Sequence, residues 1–304
     1  MTDRRMLLDT AGVYFRAFYS VPDTVTAPDG TPVNAVRGTL DAIARLVTEF
    51  GPAELVACWD EDWRPQWRVD LIPSYKTHRV AEVVVVGPDV EVIPDPLTVQ
   101  VPIIAATLAA LGIPVVGAAD HEADDVIGTL ASTSPMPVDV VTGDRDLFQL
   151  IDDSRDVRVI YTGRGMSNLE VLTDDGLVAK YGVTPRQYAD FAAMRGDASD
   201  GLPGVSGIGE KTAATLLGQY GDLAGIIAAA ADPSSGMSAG QRAKFEAAAP
   251  YLEVAPTVVQ VVRDLELPAF DARLGRADEA ACTALAAQYG LTSSMERVLA
   301  AVSR

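Results

Sequence analysis

Val138-Asp139-Val140-Val141-Thr142-Gly143-Asp144-Arg145-Asp146 decides the fold, because a short β-branched run leads through a glycine turn into two carboxylates. The same grammar recurs upstream. Met6-Leu7-Leu8 ends in Asp9, and the apolar run from Leu55 to Trp59 ends in Asp60. Helical patterns from Val36 to Phe50, Val99 to Leu111 and about Glu122 to Ala131 separate these runs, with short strands at Pro114 to Val116 and Val157 to Tyr161. Alternating strands and helices predict an α/β fold with a mostly parallel sheet. The carboxyl ends of such strands line one crevice, so Asp9, Asp60, Asp144 and Asp146 are expected to converge.

From about Thr173 the strand pattern stops. Helices are expected at Asp174 to Tyr181, Pro185 to Arg195, Glu210 to Gln219 and Asp222 to Ala231, then over 238–262 and 278–302, with Pro268-Ala269-Phe270 as a late linker. The stretch from Trp59 to Pro102 fits neither grammar, and a loop of that length in a compact domain is usually functional or mobile. Trp59, Trp63 and Trp67 have helical spacing interrupted by Pro65, which favours a core cluster over a stacking platform.

The chain has 304 residues, 48 % apolar and 22 % charged, which excludes disordered and fibrous classes. No apolar run approaches the roughly 20 residues of a bilayer span, and the start has no signal-peptide pattern. Cys58 and Cys282 read as buried thiols in a reducing compartment, hence the cytoplasm. A net charge of −18 argues at first against nucleic-acid partners. That argument fails if the acids cluster around divalent cations, which cancel their charge.

They do cluster. Glu122, Asp124 and Asp125 open a helix, and Asp197 and Asp200 flank a glycine-rich loop. A helix dipole explains one such group. It does not explain four coinciding groups. Crowded carboxylates repel unless protons or cations compensate them. All-oxygen donors select Mg²⁺ or Mn²⁺, whereas His78 and His121 with two distant cysteines make a poor zinc set. Two hard metals about 4 Å apart can activate water and stabilise the leaving oxygen of a phosphodiester, so nucleic-acid hydrolysis is the leading reading.

The loop from Gly201 to Thr212, Gly-Leu-Pro-Gly-Val-Ser-Gly-Ile-Gly-Glu-Lys-Thr, imitates a P-loop. Lys211-Thr212 arrive one place late, however, and no strand precedes the loop. A helix-hairpin-helix fits better: glycines let the backbone approach a phosphate at the N-terminus of the helix that begins at Glu210. Lys211 in its first turn is otherwise unfavourable.

Leu8-Asp9 with Arg16-Ala17-Phe18-Tyr19, Trp59-Asp60, Arg68, Tyr75-Lys76 with Arg79, Glu122 to Asp125, Thr142 to Leu150 and Gly196 to Ala213 together resemble the bacterial 5′-nuclease family. That family includes flap endonucleases and the N-terminal nuclease domain of DNA polymerase I. The resemblance covers about residues 6–265. It implies a PIN-like nuclease core over 1–172 with an arch inserted at about 62–100, a helix-hairpin-helix (H3TH-type) DNA-binding region over 173–265, and a helical extension over 266–304.

By the same resemblance, Asp9, Asp60, Glu122, Asp124 and Asp125 serve a first metal and Asp144, Asp146, Asp197 and Asp200 a second. Lys76 and Arg79 steady the scissile phosphate and the transition-state charge. Arg16, Arg68, Tyr75, Gly204, Gly207, Gly209, Lys211 and Thr212 fall on the DNA-binding side, with Arg68 also supporting the arch. Carbonyls near Val205 to Ile208 hold K⁺. The implied partner is DNA with a 5′ flap, a nick or a free 5′ end, bound by a monomer with Mg²⁺ or Mn²⁺, two or more per site.

Val83-Val84-Val85-Val86 are poor helix formers, so the arch is expected to be disordered without DNA rather than helical. No polymerase domain follows Arg304, which reads as a stand-alone enzyme. A PIN-type ribonuclease normally lacks the hairpin loop and the Tyr75 to Arg79 element, and a non-catalytic relic would have lost acids.

Overall fold

The computed structural model describes residues 3–84 and 87–303, so Met1 and Thr2, Val85 and Val86 of the valine run, and Arg304 lie outside the described residues. The first half contains β1 (Arg5–Asp9), α1 (Thr10–Ser20), α2 (Asn34–Phe50), β2 (Glu54–Cys58), α3 (Gln66–Leu71), β3 (Val80–Glu82), β4 (Val90–Glu91), α4 (Asp95–Thr98) and α5 (Val101–Ala110). It continues through β5 (Val115–Val116), α6 (Ala123–Thr133), β6 (Val138–Thr142), β7 (Val157–Tyr161) and β8 (Glu170–Leu172). The remainder is helical: α7 (Asp174–Tyr181), α8 (Tyr188–Arg195), α9 (Glu210–Tyr220), α10 (Leu223–Ala231), α11 (Ala239–Ala247), α12 (Ala249–Val259), α13 (Glu279–Tyr289) and α14 (Thr292–Val302).

Six strands form one sheet in the order β5-β2-β1-β6-β7-β8. The first five pair in parallel, and β8 closes the edge antiparallel to β7. The chain steps to one side of β1 for β2 and β5, then to the other for β6 and β7. The switch point therefore lies between β1 and β6, where an open α/β sheet leaves its crevice.

Both faces of the sheet are covered, so its strands are apolar on both sides and alternate between two cores. Leu7, Val56, Cys58, Val138, Val140, Val157 and Val159 face the core shared with α6 and the helical region. Met6, Leu8, Leu55, Ala57, Val141 and Ile160 face the core shared with α2 and α5. That second core also takes Cys282, Met295 and Val298, through which α13 packs on α5 and α14 on α2.

Several expectations are corrected. The segments expected to be helical hold two helices each, α11 and α12 within 238–262 and α13 and α14 within 278–302, the latter pair joined at Gly290 in a left-handed turn. Strand β8 has only three residues, too few for the alternation to register. Pro268-Ala269-Phe270 is not a free linker: Phe270 packs on the core, and the Leu55 amide donates to the Ala272 carbonyl at 2.9 Å. The tryptophans form no common cluster. Trp59 packs toward Tyr14, Trp63 donates to the Asp89 carbonyl at 2.7 Å, and Trp67 lies beneath the Arg68 guanidinium. Around the valine run the described residues form no helix, and Val80–Glu82 pairs antiparallel with Val90–Glu91 in a short hairpin where disorder was expected. Among the described residues no helix is long and apolar enough to cross a membrane.

Candidate active site

Asp9 is the last residue of β1 and the N-cap of α1, where its Oδ1 accepts the Gly12 amide at 2.8 Å. A Cβ on Gly12 would fall 2.4 Å from Asp9 Oδ2, so glycine is what permits the close approach. The Thr142 hydroxyl, at the end of β6, donates to Asp9 Oδ2 at 2.9 Å and accepts the Asp144 amide at 2.8 Å. One threonine thus ties the two strand ends at the switch point together. Asp60 follows β2 and accepts the Ala123 amide at 2.8 Å, which sets the start of α6 against it.

Asp9, Asp60, Glu122, Asp124 and Asp144 line a cleft of about 260 Å³ with Arg16, Lys76 and Arg79 on its walls. Asp146 and Asp200 meet Glu122 and Asp124 in a smaller adjoining cavity of about 20 Å³. Seven of the nine predicted acids therefore converge, and Asp144 joins the group assigned to the first metal. A larger groove of about 1200 Å³ includes Trp67, Arg155, Arg186 and Arg263, but none of the nine acids lines it.

The electrostatics follow from crowding. Burial pushes Asp60 up to about 7 despite the Ala123 amide, with Glu122 adding to the rise, and pushes Asp200 up to about 6 despite Lys76. Asp9, Asp124, Asp144 and Asp146 are raised by burial too, and neighbouring acids push Asp124, Asp144 and Asp146 further. Asp144 lines the cleft from an exposed turn after β6. Glu122 is the exception: burial raises it, but Lys76 and Arg68 hold it below the usual carboxylate range.

Lys76, 8 % exposed, donates its Nζ to Glu122 Oε2 and has the left-handed φ of +48°. That conformation costs a non-glycine residue roughly 1–2 kcal/mol. Its amide donates to the Asp200 carbonyl at 3.0 Å, and the Ser74 hydroxyl donates to the Gly201 carbonyl at 2.8 Å, so the arch base is stitched to the glycine loop. Arg79 reaches Asp200 at 3.3 Å.

Other predicted residues are placed differently. Asp125 is fully buried, gives both oxygens to Arg68 and lines neither cavity. Arg68 also bonds Glu122 at 3.0 Å, and Tyr75 is buried with its hydroxyl on Glu122 at 2.7 Å. Arg68 and Tyr75, expected on the DNA-binding side, are thus buried against Glu122 and not presented at the surface. Asp197 lines neither cavity; its Oδ1 accepts the Ser199 amide and its Oδ2 faces Arg195 at 3.4 Å. Although partial burial raises it, the Ser199 bonds hold its pKa below the usual range.

The glycine loop carries positive φ at Gly204 and Gly207, and Gly209 caps α9 with no side chain over the first-turn amides. Val205 and Ile208 point inward as buried anchors. Lys211 is exposed and Thr212 half-buried beside it. Lys244, which no sequence signal marked, lays its Nζ on the Gly207 carbonyl at 3.2 Å and adds a second cation to this surface. Thr142 lies within the Thr142 to Leu150 motif, but nothing in the sequence marks its hydroxyl as the bridge between Asp9 and Asp144.

The donor set is all oxygen, and Asp146 Oδ1 is buried without a hydrogen-bond partner, an atom that a cation would satisfy. Among the described residues no three acidic, histidine or cysteine side chains close on one point as they stand. The all-carboxylate chemistry of the donors fits hard divalent ions.

Acids gathered at the switch point of a parallel sheet, a lysine turned in among them and a glycine-looped helical domain stitched alongside make up a nuclease architecture. The chain belongs to the 5′-3′ exonuclease family: residues 4–182 match its N-terminal resolvase-like domain and 183–280 its C-terminal SAM fold. It is 58 % identical over 296 residues to a 5′-3′ exonuclease of Streptomyces coelicolor, covering 97 % of this chain and 98 % of that protein. A structure of T5 5′-exonuclease with divalent metal ions (zinc) bound shares the fold at a TM-score of 0.64 and 16 % identity, covering 99 % of this chain and 100 % of that one. The catalytic core of Rad2 in complex with DNA substrate does so at a TM-score of 0.62 and 15 % identity, covering 100 % and 93 %.

Proposed function

We propose that this nuclease is structure-specific, hydrolysing phosphodiester bonds of branched DNA at a 5′ flap, a nick or a free 5′ end, as a monomer with Mg²⁺ or Mn²⁺. The observation that carries the reading is the convergence of acids from the ends of β1, β2 and β6 and the start of α6 on one crevice, with Asp146 Oδ1 left unpartnered. Asp9, Asp60, Asp124 and Asp144 would hold metal in the cleft, with Asp146, Asp200 and Glu122 deeper; Asp197 would join from the loop edge. Bound there, divalent ions supply an activated water and charge stabilisation at the leaving oxygen.

The chain's own residues do the rest. Free amides at the N-terminus of α9, with Lys211 and Thr212, hold a duplex phosphate without base readout. Gly204, Gly207 and Gly209 let that phosphate come close, and carbonyls of Val205 and Ile208 take K⁺. Arg16 approaches the strand from α1. Lys76 and Arg79, poised on the cleft wall, stabilise charge that develops on the phosphate, where a water-poor site makes a fixed cation most effective. Engaging the substrate requires Lys76 to exchange Glu122 for phosphate.

Cleavage of 5′-flap DNA with Mg²⁺ and with EDTA tests the proposal, with a single-stranded RNA of the same sequence alongside. Metal-dependent release of the flap supports it. Cleavage of the RNA alone would favour a PIN-type ribonuclease, and no metal-dependent cleavage would overturn the assignment.

A further inference from the structure

We propose that Arg64, oriented by Asp89, is a positioning residue for phosphodiester cleavage, bracing the left-handed turn at Lys76 and thereby aiming its ammonium into the acid cleft. The inference rests on the reading of Lys76 as a catalytic cation.

Arg64 follows Trp63 before the short helix α3 and is buried, with its side chain 7 % exposed and that of Asp89 9 % exposed. Its guanidinium distributes its donors over one short segment. Nε donates to the Tyr75 carbonyl at 2.6 Å, and Nη2 to the Thr77 hydroxyl at 3.2 Å and the Pro73 carbonyl at 3.3 Å. Tyr75 and Thr77 are the two neighbours of Lys76, whose φ of +48° an L-residue keeps only when its surroundings over-determine it. Arg64 grips the chain on both sides of that residue.

Asp89 completes the brace. Its Oδ2 accepts Arg64 Nη1 at 2.5 Å, its Oδ1 accepts the Val84 amide at 3.0 Å, and its carbonyl accepts Trp63 Nε1 at 2.7 Å. The Arg64 amide is itself anchored on Asp62 Oδ1 at 3.0 Å. One ion pair therefore fixes the arch hairpin and the Lys76 turn relative to each other. A planar fork is needed to serve acceptors in several directions at once, which a lysine cannot do.

The test is a mutant cycle of Arg64→Gln, Lys76→Ala and the double variant, read by single-turnover cleavage of 5′-flap DNA with Mg²⁺. Flap affinity in EDTA is read by anisotropy, and exchange of the Thr77 and Arg79 amides by hydrogen–deuterium exchange. Arg64→Gln should slow cleavage about tenfold or more, change affinity less than about twofold, and cost less than about twofold further in the Lys76→Ala background. Exchange at Thr77 and Arg79 should rise, and Arg64→Lys should not rescue the rate. If Arg64→Gln fails to fold, the near-isosteric Asp89→Asn carries the same expectations in the same cycle.

An equal slowing of wild type and Lys76→Ala by Arg64→Gln would overturn the proposal, since the residue would then act elsewhere. So would an unchanged rate in Arg64→Gln when Lys76→Ala is slow. If Lys76→Ala itself cleaves like wild type, the catalytic reading of Lys76 falls, and the role of Arg64 falls with it.

Discussion

Arg68 holds both oxygens of Asp125, with Nη2 on Oδ1 at 2.7 Å and Nη1 on Oδ2 at 2.9 Å, so an acid that its sequence context assigns to a metal is consumed inside the protein. The Val262 amide donates to the same Oδ1 at 2.9 Å, which ties α6 to the segment after α12. Asp125→Asn should therefore destabilise the fold by about 3 kcal/mol, the usual cost of breaking a buried pair from one side. Mn²⁺ stoichiometry should not change. Urea unfolding and a Mn²⁺ titration decide the matter, and loss of a metal with stability intact would return Asp125 to the ligand set.

The stitched contact between arch base and glycine loop has its own sensitivity. Gly201 has φ +69°, and a Cβ there would lie 2.0 Å from the Ser74 carbonyl. Gly201→Ala should lower stability by at least about 1 kcal/mol, combining left-handed strain with the clash. It should also raise hydrogen exchange at Lys76, whose amide bonds the Asp200 carbonyl next to the loop. A melting curve and exchange profile like wild type would mean that the two segments are not mechanically joined.

The sheet was legible because β1, β2, β6 and β7 are short apolar runs ending at polar turns, and the convergence of Asp9, Asp60, Asp144 and Asp146 follows from parallel strand ends alone. What stayed hidden depends on side-chain direction. Asp124 and Asp125 are adjacent in a helix and about 100° apart around it, so one faces the cleft and the other Arg68, which no composition argument can separate. The packing of α13 against α5 and of α14 against α2 is a long-range choice between apolar faces with similar patterns. The brace of Arg64 on Asp89 spans a loop with no periodicity to read.

Duplex binding should show the charge of Lys211 directly. This exposed lysine in the first turn of α9 is the proposed phosphate contact, so Lys211→Ala should weaken binding about equally for all sequences and lower the salt slope by about one counterion unit. Fluorescence anisotropy over a salt series checks it. An unchanged slope would move the contact to another cation, such as Lys244, which reaches the loop from α11.

Stability should respond to pH in opposite directions with and without metal. Asp60 at about 7 and Asp200 at about 6 lie above their unfolded value of 3.8, so the folded apo protein binds more protons than the unfolded chain between those limits. The stability they contribute is present below the unfolded value and is lost as pH rises through the folded ones. Glu122 has the opposite sign, but its contribution is lost only as pH falls below its unfolded value of 4.5. In EDTA the melting temperature should rise from pH 8 to 5.5. With saturating Mn²⁺ it should fall over the same range, as protons displace the cation. Parallel curves would mean that the acids do not share a site.

Single-turnover cleavage of 5′-flap DNA by Asp144→Asn, at enzyme above saturation with Mn²⁺ and with flap binding measured in parallel, tests the central claim most directly. Asp144 sits in the cleft while the phosphate-holding loop lies in the helical domain. Cleavage should fall by about a thousandfold or more, as loss of several kcal/mol of transition-state stabilisation requires, with affinity within about threefold of wild type. Cleavage near the wild-type rate would contradict the account, because the converged acids would then not be where the phosphodiester is broken.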